Sequence, residues 1–388
     1  MGSMSDVLQA FARRIRDAAS QGQPLRLRGG GSKDFLGQSL AGDVLDTRAY
    51  RGILSYEPSE LVITVCAGTP LAEVERALAE RGQCLAFEPP HFGGGATVGG
   101  MVAAGLSGPA RASVGSVRDF VLGARLINGR GEDLRFGGQV MKNVAGYDVS
   151  RLLAGSLGTL GLITEVSLKV LPVAPAEATL ACQGLGAATA LDLLHRWGAQ
   201  PLPLNASAWV RDTTTTPARE VLYVRLRGAV AAVEAAVARM GAEAEQRGAT
   251  VTRHGADVAD DWRASAEQTL PFFTPAPAPD ACLWRVSVPQ TAPLLAFPEG
   301  VSVPYIEWHG AQRWHWASAR MAPALRQVAQ AAGGHATLFR TSAAHGDADR
   351  AVGVFAPLDA VQQRIQRELK HAFDPAGVFN PGRWYDGL

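Results

Sequence analysis

Three consecutive glycines followed by serine and lysine, Gly29-Gly30-Gly31-Ser32-Lys33, place backbone N–H groups in series with no Cβ in the way, directly after Leu25-Arg26-Leu27-Arg28. Bare amides in a row are what a pyrophosphate needs from a nest-like loop; a plain turn after a strand is the other reading of the same residues. A second run, Pro89-Pro90-His91-Phe92-Gly93-Gly94-Gly95-Ala96-Thr97-Val98-Gly99-Gly100, allows Thr97 to cap a glycine-lined helix. Such a start would offer free N–H donors to an anionic or carbonyl-rich ligand, and tight packing of a helix on small residues is its alternative. A third, Val140-Met141-Lys142-Asn143-Val144-Ala145-Gly146-Tyr147-Asp148, is followed by Gly155-Ser156-Leu157-Gly158-Thr159-Leu160-Gly161-Leu162-Ile163. Its small residues beside a β-branched strand suit a large flat ligand held against backbone, with Lys142 and Asp148 either close to that ligand or a structural ion pair.

Several familiar schemes are absent. Gly93-Gly94-Gly95-Ala96-Thr97-Val98 lacks the last glycine of a dinucleotide fingerprint, and no lysine directly follows a glycine, so there is no Walker loop. Cys66, Cys84, Cys182 and Cys282 are widely spaced, which argues against a zinc site or an iron–sulfur cluster, and His91 has no partner at coordinating spacing; no metal site is expected.

The elements that must position these loops follow from periodicity. Val7, Leu8, Phe11, Ala12 and Ile15 recur at helical spacing before the short strand at Leu25. Leu61-Val62-Ile63-Thr64-Val65 reads as a buried strand, and Thr69-Pro70 opens a helix carrying Leu71, Val74 and Leu78 that Gly82 stops. Mixed α/β layers are expected to about Val173, where Leu171-Pro172-Val173-Ala174-Pro175-Ala176 looks like a linker. Beyond it, strands at Val221–Leu226, Cys282–Val286 and His335–Phe339 alternate with helices near Ala229 to Met240 and Ala317 to Ala331. A helix near Leu358 to Phe373 leads into a tail expected to dock on the body.

With 388 residues, 47% of them hydrophobic, the chain can bury a large core, and its formal net charge of +1 argues against a nucleic-acid partner. Met1-Gly2-Ser3 reads as an expression scar, no segment resembles a signal peptide or membrane span, and the expectation is a cytoplasmic protein that reaches the inner membrane only through partners.

Five ordered motifs carry a family resemblance: Gly29-Gly30-Gly31-Ser32, Thr97-Val98-Gly99-Gly100, Gly115-Ser116-Val117-Arg118-Asp119, residues 142–148, and Gly155-Ser156-Leu157-Gly158-Thr159-Leu160-Gly161. With the tail Asn380-Pro381-Gly382-Arg383, the chain resembles the vanillyl-alcohol-oxidase-like, PCMH-type FAD flavoproteins over nearly its whole length, and within them the FAD subunits of bacterial glycolate oxidases. The resemblance implies an α+β fold: a PCMH-type FAD-binding domain of two α/β subdomains (1–175), an α+β cap domain with an antiparallel sheet (176–355), and a C-terminal helix and tail returning to the FAD domain (356–388).

It also implies a cofactor site. Gly29, Gly30, Gly31 and Ser32 would cradle the pyrophosphate, and Thr97, Val98, Gly99, Gly100, Ser107 and Gly108 would follow the ribityl chain and ring. Lys33, Pro90 and Gly115 would also bind the cofactor. Gly155, Ser156, Gly158, Gly161 and Ile163 would lie along the cofactor, and Asn380 would return near the flavin. With no histidine in the first glycine loop, non-covalent FAD is expected.

The implied function is oxidation of glycolate and related 2-hydroxy acids within a complex, the implied partners being a second FAD subunit and an iron–sulfur subunit. A self-sufficient dehydrogenase and a non-catalytic electron relay are the alternatives. The His-x-x-Gly-Asp-Gly-Asn-x-His and Glu-His-Gly motifs of related dehydrogenases are missing. Substrate oxidation needs a proton acceptor and a cation for the carboxylate, and His335, Arg313 and Arg340 have that chemistry, against the alternatives of a core histidine and surface arginines. Trp308, Trp314 and Trp316 alternate as on a packing face.

Overall fold

The computed structural model describes residues 4–138 and 148–388. The motif at 140–147, Lys142 included, lies outside the described residues. The chain divides into two compact units: Met1–Ser107, Gly115–Val173 and Pro357–Leu388 form one, and Gly108–Val114 with Ala174–Ala356 form the other.

In the first unit, α1 (Met4–Gln21) precedes β1 (Leu25–Arg28) and β2 (Asp43–Asp46), which pair in parallel. Strands β3 (Ile53–Glu57) and β4 (Val62–Cys66) form a hairpin, followed by α2 (Leu71–Ala79), β5 (Gln83–Cys84) and α3 (Val98–Ala104). The short helix α4 (Arg111–Val114) belongs to the other unit. Then come α5 (Val117–Phe120), β6 (Val121–Ile127), β7 (Asp133–Gly137), β8 (Leu162–Lys169) and β9 (Leu171–Pro172), the last pairing with β5.

Strands β3-β4-β8-β6-β7 make a five-stranded sheet whose every pairing is antiparallel. The expected alternation of strands and helices is therefore present, but among the strands of the described residues β1 and β2 alone pair in parallel. The connections from β3 to β4 and from β6 to β7 are too short for the crossover that parallel strands require.

The core beside β1 shows how the chain ends are used. Phe11, Ile15 and Ala18 of α1 pack with Leu25, Leu45, Val378 and Phe379. Leu25 N–H donates to Val378 O at 2.7 Å and Asn380 N–H to Leu25 O at 2.8 Å, so the tail lies along β1 like a third strand.

In the second unit, β10 (Ala176–Gln183), α6 (Ala187–Gly198), β11 (Leu204–Asp212), β12 (Arg219–Gly228), α7 (Val230–Glu245), β13 (Thr250–His254) and α8 (Ala259–Glu267) are followed by β14 (Cys282–Ser287). Next come β15 (Tyr305–Glu307), β16 (Gln312–Ala317), α9 (Ala322–Ala331) and β17 (His335–Arg340). The expected helix start at Ala317 is corrected. That residue ends β16, pairing with Cys282, and Pro323 in the first turn fits a helix that opens at Ala322.

All eight strands form one antiparallel sheet, in the order β13-β10-β12-β11-β15-β16-β14-β17. Alternate residues of each strand point to opposite faces. Leu180, Leu222, Val224, Trp209 and Ile306 pack on α6 and α7, while Trp284, Val286, Ala336 and Leu338 pack on α9. The intervening residues, including Thr179, Ala208, Tyr223, Arg285, Tyr305, Glu307 and Trp314, lie on the other face.

The last helix, α10 (Ala360–Phe373), is capped by Asp359 and returns to the first unit. Its Lys370 Nζ donates to Thr159 O, Phe379 O and Asp374 Oδ2, each at 2.8 Å. Lys370→Met would leave the fully buried Asp374 carboxylate without its cation, a loss of about 3–5 kcal/mol. Urea denaturation followed by circular dichroism measures it, and a stability equal to that of the unaltered chain would refute this account.

Candidate functional site

The glycine loop after β1 opens into a small cleft of about 80 Å³. Its lining includes Arg28, Gly29, Gly30, Gly31, Ser32, Lys33, Thr97, Gly100, Leu157, Asn380 and Arg383. The N–H groups of Gly29, Gly30, Gly31 and Ser32 donate to no described residue, so four neighbouring amides stand unspent. A Cβ on Gly30 would sit 1.4 Å from Gly95 O, and one on Gly29 would sit 2.2 Å from Thr97 Oγ1. Only a bare backbone permits this approach.

The cleft is also cationic. Arg28, Lys33 and Arg383 line it against the single carboxylate of Asp34, which Arg26 and Arg28 both engage. Arg383 donates to Lys33 O at 3.1 Å and Lys33 Nζ to His91 O at 3.1 Å, so both charges are oriented by backbone carbonyls. Unspent amides beside net positive charge make a receptor for a phosphate-bearing group.

Thr97 caps α3 as expected, its hydroxyl accepting from Gly100 N–H at 3.3 Å. The expected free donors at that helix start are not there, because Val98 N–H donates to Thr69 O and Gly99 N–H to Ala67 O. Gly99 has a packing reason instead: a Cβ there would meet the Ala67 Cβ at 2.7 Å.

The 155–161 loop is likewise bound to α3, with Gly155 N–H on Val102 O and Leu157 N–H on Ala103 O. Ser156 Oγ donates to Leu153 O, Gly158 leaves room for the Asn380 amide, Gly161 abuts Leu126, and Ile163 is a buried residue of β8. Asn380 accepts from Leu27 N–H at 2.8 Å and donates to Leu157 O at 2.6 Å, tying β1 to this loop. Ser107 Oγ caps α5 through Val117 N–H, Gly115 precedes that helix at φ +100°, and Pro90 is buried. Gly108 belongs to the second unit, where its carbonyl accepts from Trp308 Nε1.

The three residues put forward for substrate chemistry are not brought together. Arg313 lies on the face of β16 opposite Trp314, and its guanidinium donates to Gly310 O, Pro293 O and Ala292 O at 3.1, 2.6 and 2.7 Å. It is a strut for the 292–293 loop. His335 and Arg340 stand at opposite ends of β17, paired with Ser287 and Leu283, and Arg340 stacks on Phe339.

Two other residues, on the sheet face opposite α6, α7 and α9, have the required chemistry. Burial raises the Glu307 carboxyl to a pKa of about 7. Its Oε1 accepts from Trp314 Nε1 at 2.8 Å and Gln312 Nε2 at 2.5 Å, while Oε2 has no partner among the described residues. Arg285 pairs across the strands with Trp314 and lies over the Phe339 ring, yet its guanidinium makes no hydrogen bond or ion pair to a described residue.

Burial pulls the Arg285 pKa down to about 10, and the charge it feels most favourably is that of Glu307. A desolvated guanidinium without a counterion costs several kcal/mol unless an anion is bound there. Both residues had a visible signal, a lone charge inside an apolar run: Trp284-Arg285-Val286 and Ile306-Glu307-Trp308.

Comparison with known proteins agrees with this geometry. Residues 8–137 match the FAD binding domain family FAD_binding_4. The whole chain is 44% identical over 384 residues to glycolate oxidase subunit GlcE of Escherichia coli strain K12, covering 99% of each chain. The chain belongs to the GlcE family. A shorter match, 35% over 130 residues, links this GlcE-family chain to glycolate oxidase subunit GlcD of Bacillus subtilis strain 168, covering 33% of this chain and 27% of that one. Its fold is that of a solved alkyldihydroxyacetonephosphate synthase, with a TM-score of 0.65 at 15% identity over 95% of this chain and 73% of the other.

The Gly30 cradle can be tested against a glycine that touches nothing. Gly30→Ala is expected to weaken FAD binding to the GlcE-family apoprotein at least tenfold, whereas Gly94→Ala, whose Cβ meets no atom within 4 Å, leaves it within about twofold. Quenching of flavin fluorescence on titration reads both. Equal affinities would dismiss the cradle.

Proposed function

We propose that the chain is the FAD-bearing subunit of a glycolate oxidase complex and oxidises glycolate and related 2-hydroxy acids to 2-oxo acids. The observation that carries this reading is the near-full-length identity to GlcE. FAD is bound non-covalently, since the loop Gly29-Gly30-Gly31-Ser32-Lys33 has no histidine to link it. The amides of Gly29 to Ser32 with Arg28, Lys33 and Arg383 hold the pyrophosphate, and Thr97, Gly100, Leu157 and Asn380 complete the wall. The first unit is then the FAD domain and the second the cap domain.

FAD supplies the two-electron acceptor; the protein supplies position and proton handling. Arg285 holds the substrate carboxylate by charge-assisted hydrogen bonds. Glu307 takes the hydroxyl proton on Oε2, with Oε1 fixed by Trp314 and Gln312 so that the free oxygen keeps one orientation. A base of pKa about 7 is matched to neutral operation. These two residues replace Arg313 and Arg340 as anchor and His335 as proton acceptor, and they favour substrate chemistry in this chain over a bare electron relay.

Bound FAD would pass the electrons on to partner subunits, a second FAD subunit and an iron–sulfur subunit. The widely spaced cysteines of this chain, three of them buried, favour a cluster carried by another chain. No helix among the described residues is long and apolar enough to cross a membrane, and contact with the inner membrane is made through those partners, from the cytoplasmic side.

In the co-purified complex, Arg285→Met is expected to raise KM for glycolate about 10- to 100-fold with a smaller change in kcat. Glu307→Gln should lower kcat about 10²- to 10⁴-fold. Activity should rise as pH increases through about 7, where Glu307 ionises, and the variant should lack that limb. Because the folded pKa exceeds the usual carboxylate value, ionisation opposes folding, so the melting temperature should fall as pH rises from 4.5 to about 7, level off above that, and fall less in Glu307→Gln. Anaerobic glycolate that fails to bleach the flavin of the complete complex would reject the function. Bleaching undiminished in both variants would reject the residue assignments and, with a second FAD subunit present, the oxidation of glycolate by this chain.

A further inference from the structure

The sheet face of the second unit opposite α6, α7 and α9 also carries a cleft of about 620 Å³, in the size range of small-molecule sites. Its floor is Ala208 and Val210 of β11, and its walls carry the rings of Trp262, Phe272, Tyr305 and Trp316. All of its lining residues belong to this unit.

The wall's polar groups are mostly satisfied by one another. Trp262 Nε1 donates to Thr179 Oγ1 at 2.9 Å, Ser265 Oγ and Tyr305 OH share a hydrogen bond of 2.9 Å, and Trp316 Nε1 donates to Phe272 O at 2.8 Å. Such walls present aromatic faces with little hydrogen-bonding capacity left for a ligand.

Tyr223 is the exception. Its hydroxyl has no hydrogen-bond partner among the described residues, and desolvation together with Asp212 and Asp261 pushes its pKa up, so it stays a donor. Both carboxylates stand at the rim with Arg211 as the cation, a balance that disfavours anions. An apolar slot with one unspent hydroxyl and an acidic rim selects a flat, uncharged ring bearing one oxygen acceptor.

We propose that this cleft is a binding site for an uncharged, flat aromatic or quinonoid ring compound whose carbonyl oxygen is met by the Tyr223 hydroxyl. The proposal is independent of the glycolate reading, because it rests on the cap unit's own walls.

Equilibrium dialysis of the FAD-loaded chain against 2-acetylnaphthalene and its anionic counterpart 2-naphthoate tests it. The ketone is expected to bind at one equivalent, and the carboxylate at least tenfold more weakly. Ala208→Phe, which fills the floor, should weaken ketone binding at least tenfold, and Tyr223→Phe about fivefold, the value of one hydrogen bond. Val210→Phe blocks the cleft from the neighbouring position should Ala208→Phe fail to reproduce the melting temperature of the unaltered chain.

No saturable ketone binding, or equal binding to folded cleft-filling variants, would overturn the proposal. Preference for naphthoate over the ketone would overturn the ligand class.

Discussion

One buried ammonium organises the first unit's cleft. Lys370 holds Thr159 of the 155–161 loop, Phe379 of the tail and Asp374 at a single point, and Asp374 in turn accepts from Phe379 N–H. Thr159 is more than 200 residues from the other three in sequence, so joining them costs considerable chain entropy, which the packing of Val378 and Phe379 against α1 and β1 helps to offset. Asn380 completes the linkage by bonding β1 on one side and Leu157 on the other. The glycine loop that follows β1 is thereby set against Thr97 and Gly95 closely enough that a methyl group would not fit.

The second unit solves a different problem with one device. Period-two alternation gives its eight-stranded sheet a helix-covered apolar face and a face on which charge and aromatic rings are gathered. Arg285, Trp314 and Tyr305 lie in one row across β14, β16 and β15. A relay of ring contacts runs from Phe272 through Tyr305, Phe273 and Trp314 to Phe339, stiffening the ground between the charged pair and the large cleft. Rotamers locked in this way keep Glu307 and Arg285 from collapsing onto other partners.

The glycine motifs announced a cofactor loop in the sequence because amides without Cβ atoms have a chemical meaning before any fold is known. What the sequence did not reveal was which amides remain unspent. Thr97 to Gly100 looked as open as Gly29 to Ser32, and only tertiary structure shows Val98 and Gly99 donating to the loop that follows β4. The residues proposed for substrate chemistry differ from those the sequence suggested for a related reason. Arg313 looks like a free cation in sequence, yet its face of β16 turns it toward the carbonyls of the 292–293 loop, whereas Arg285 and Glu307 each stand as a lone charge in an apolar run that reads as strand. A one-residue shift of strand phase separates a strut from a ligand anchor.

The seven residues from Gly108 to Val114 belong to the second unit although first-unit sequence flanks them on both sides. With the passages after Val173 and before Pro357, the backbone therefore passes from one unit to the other four times. No single cut separates the units, so excising the second as one contiguous segment would leave Gly108–Val114 behind and sever the first between Val173 and Pro357.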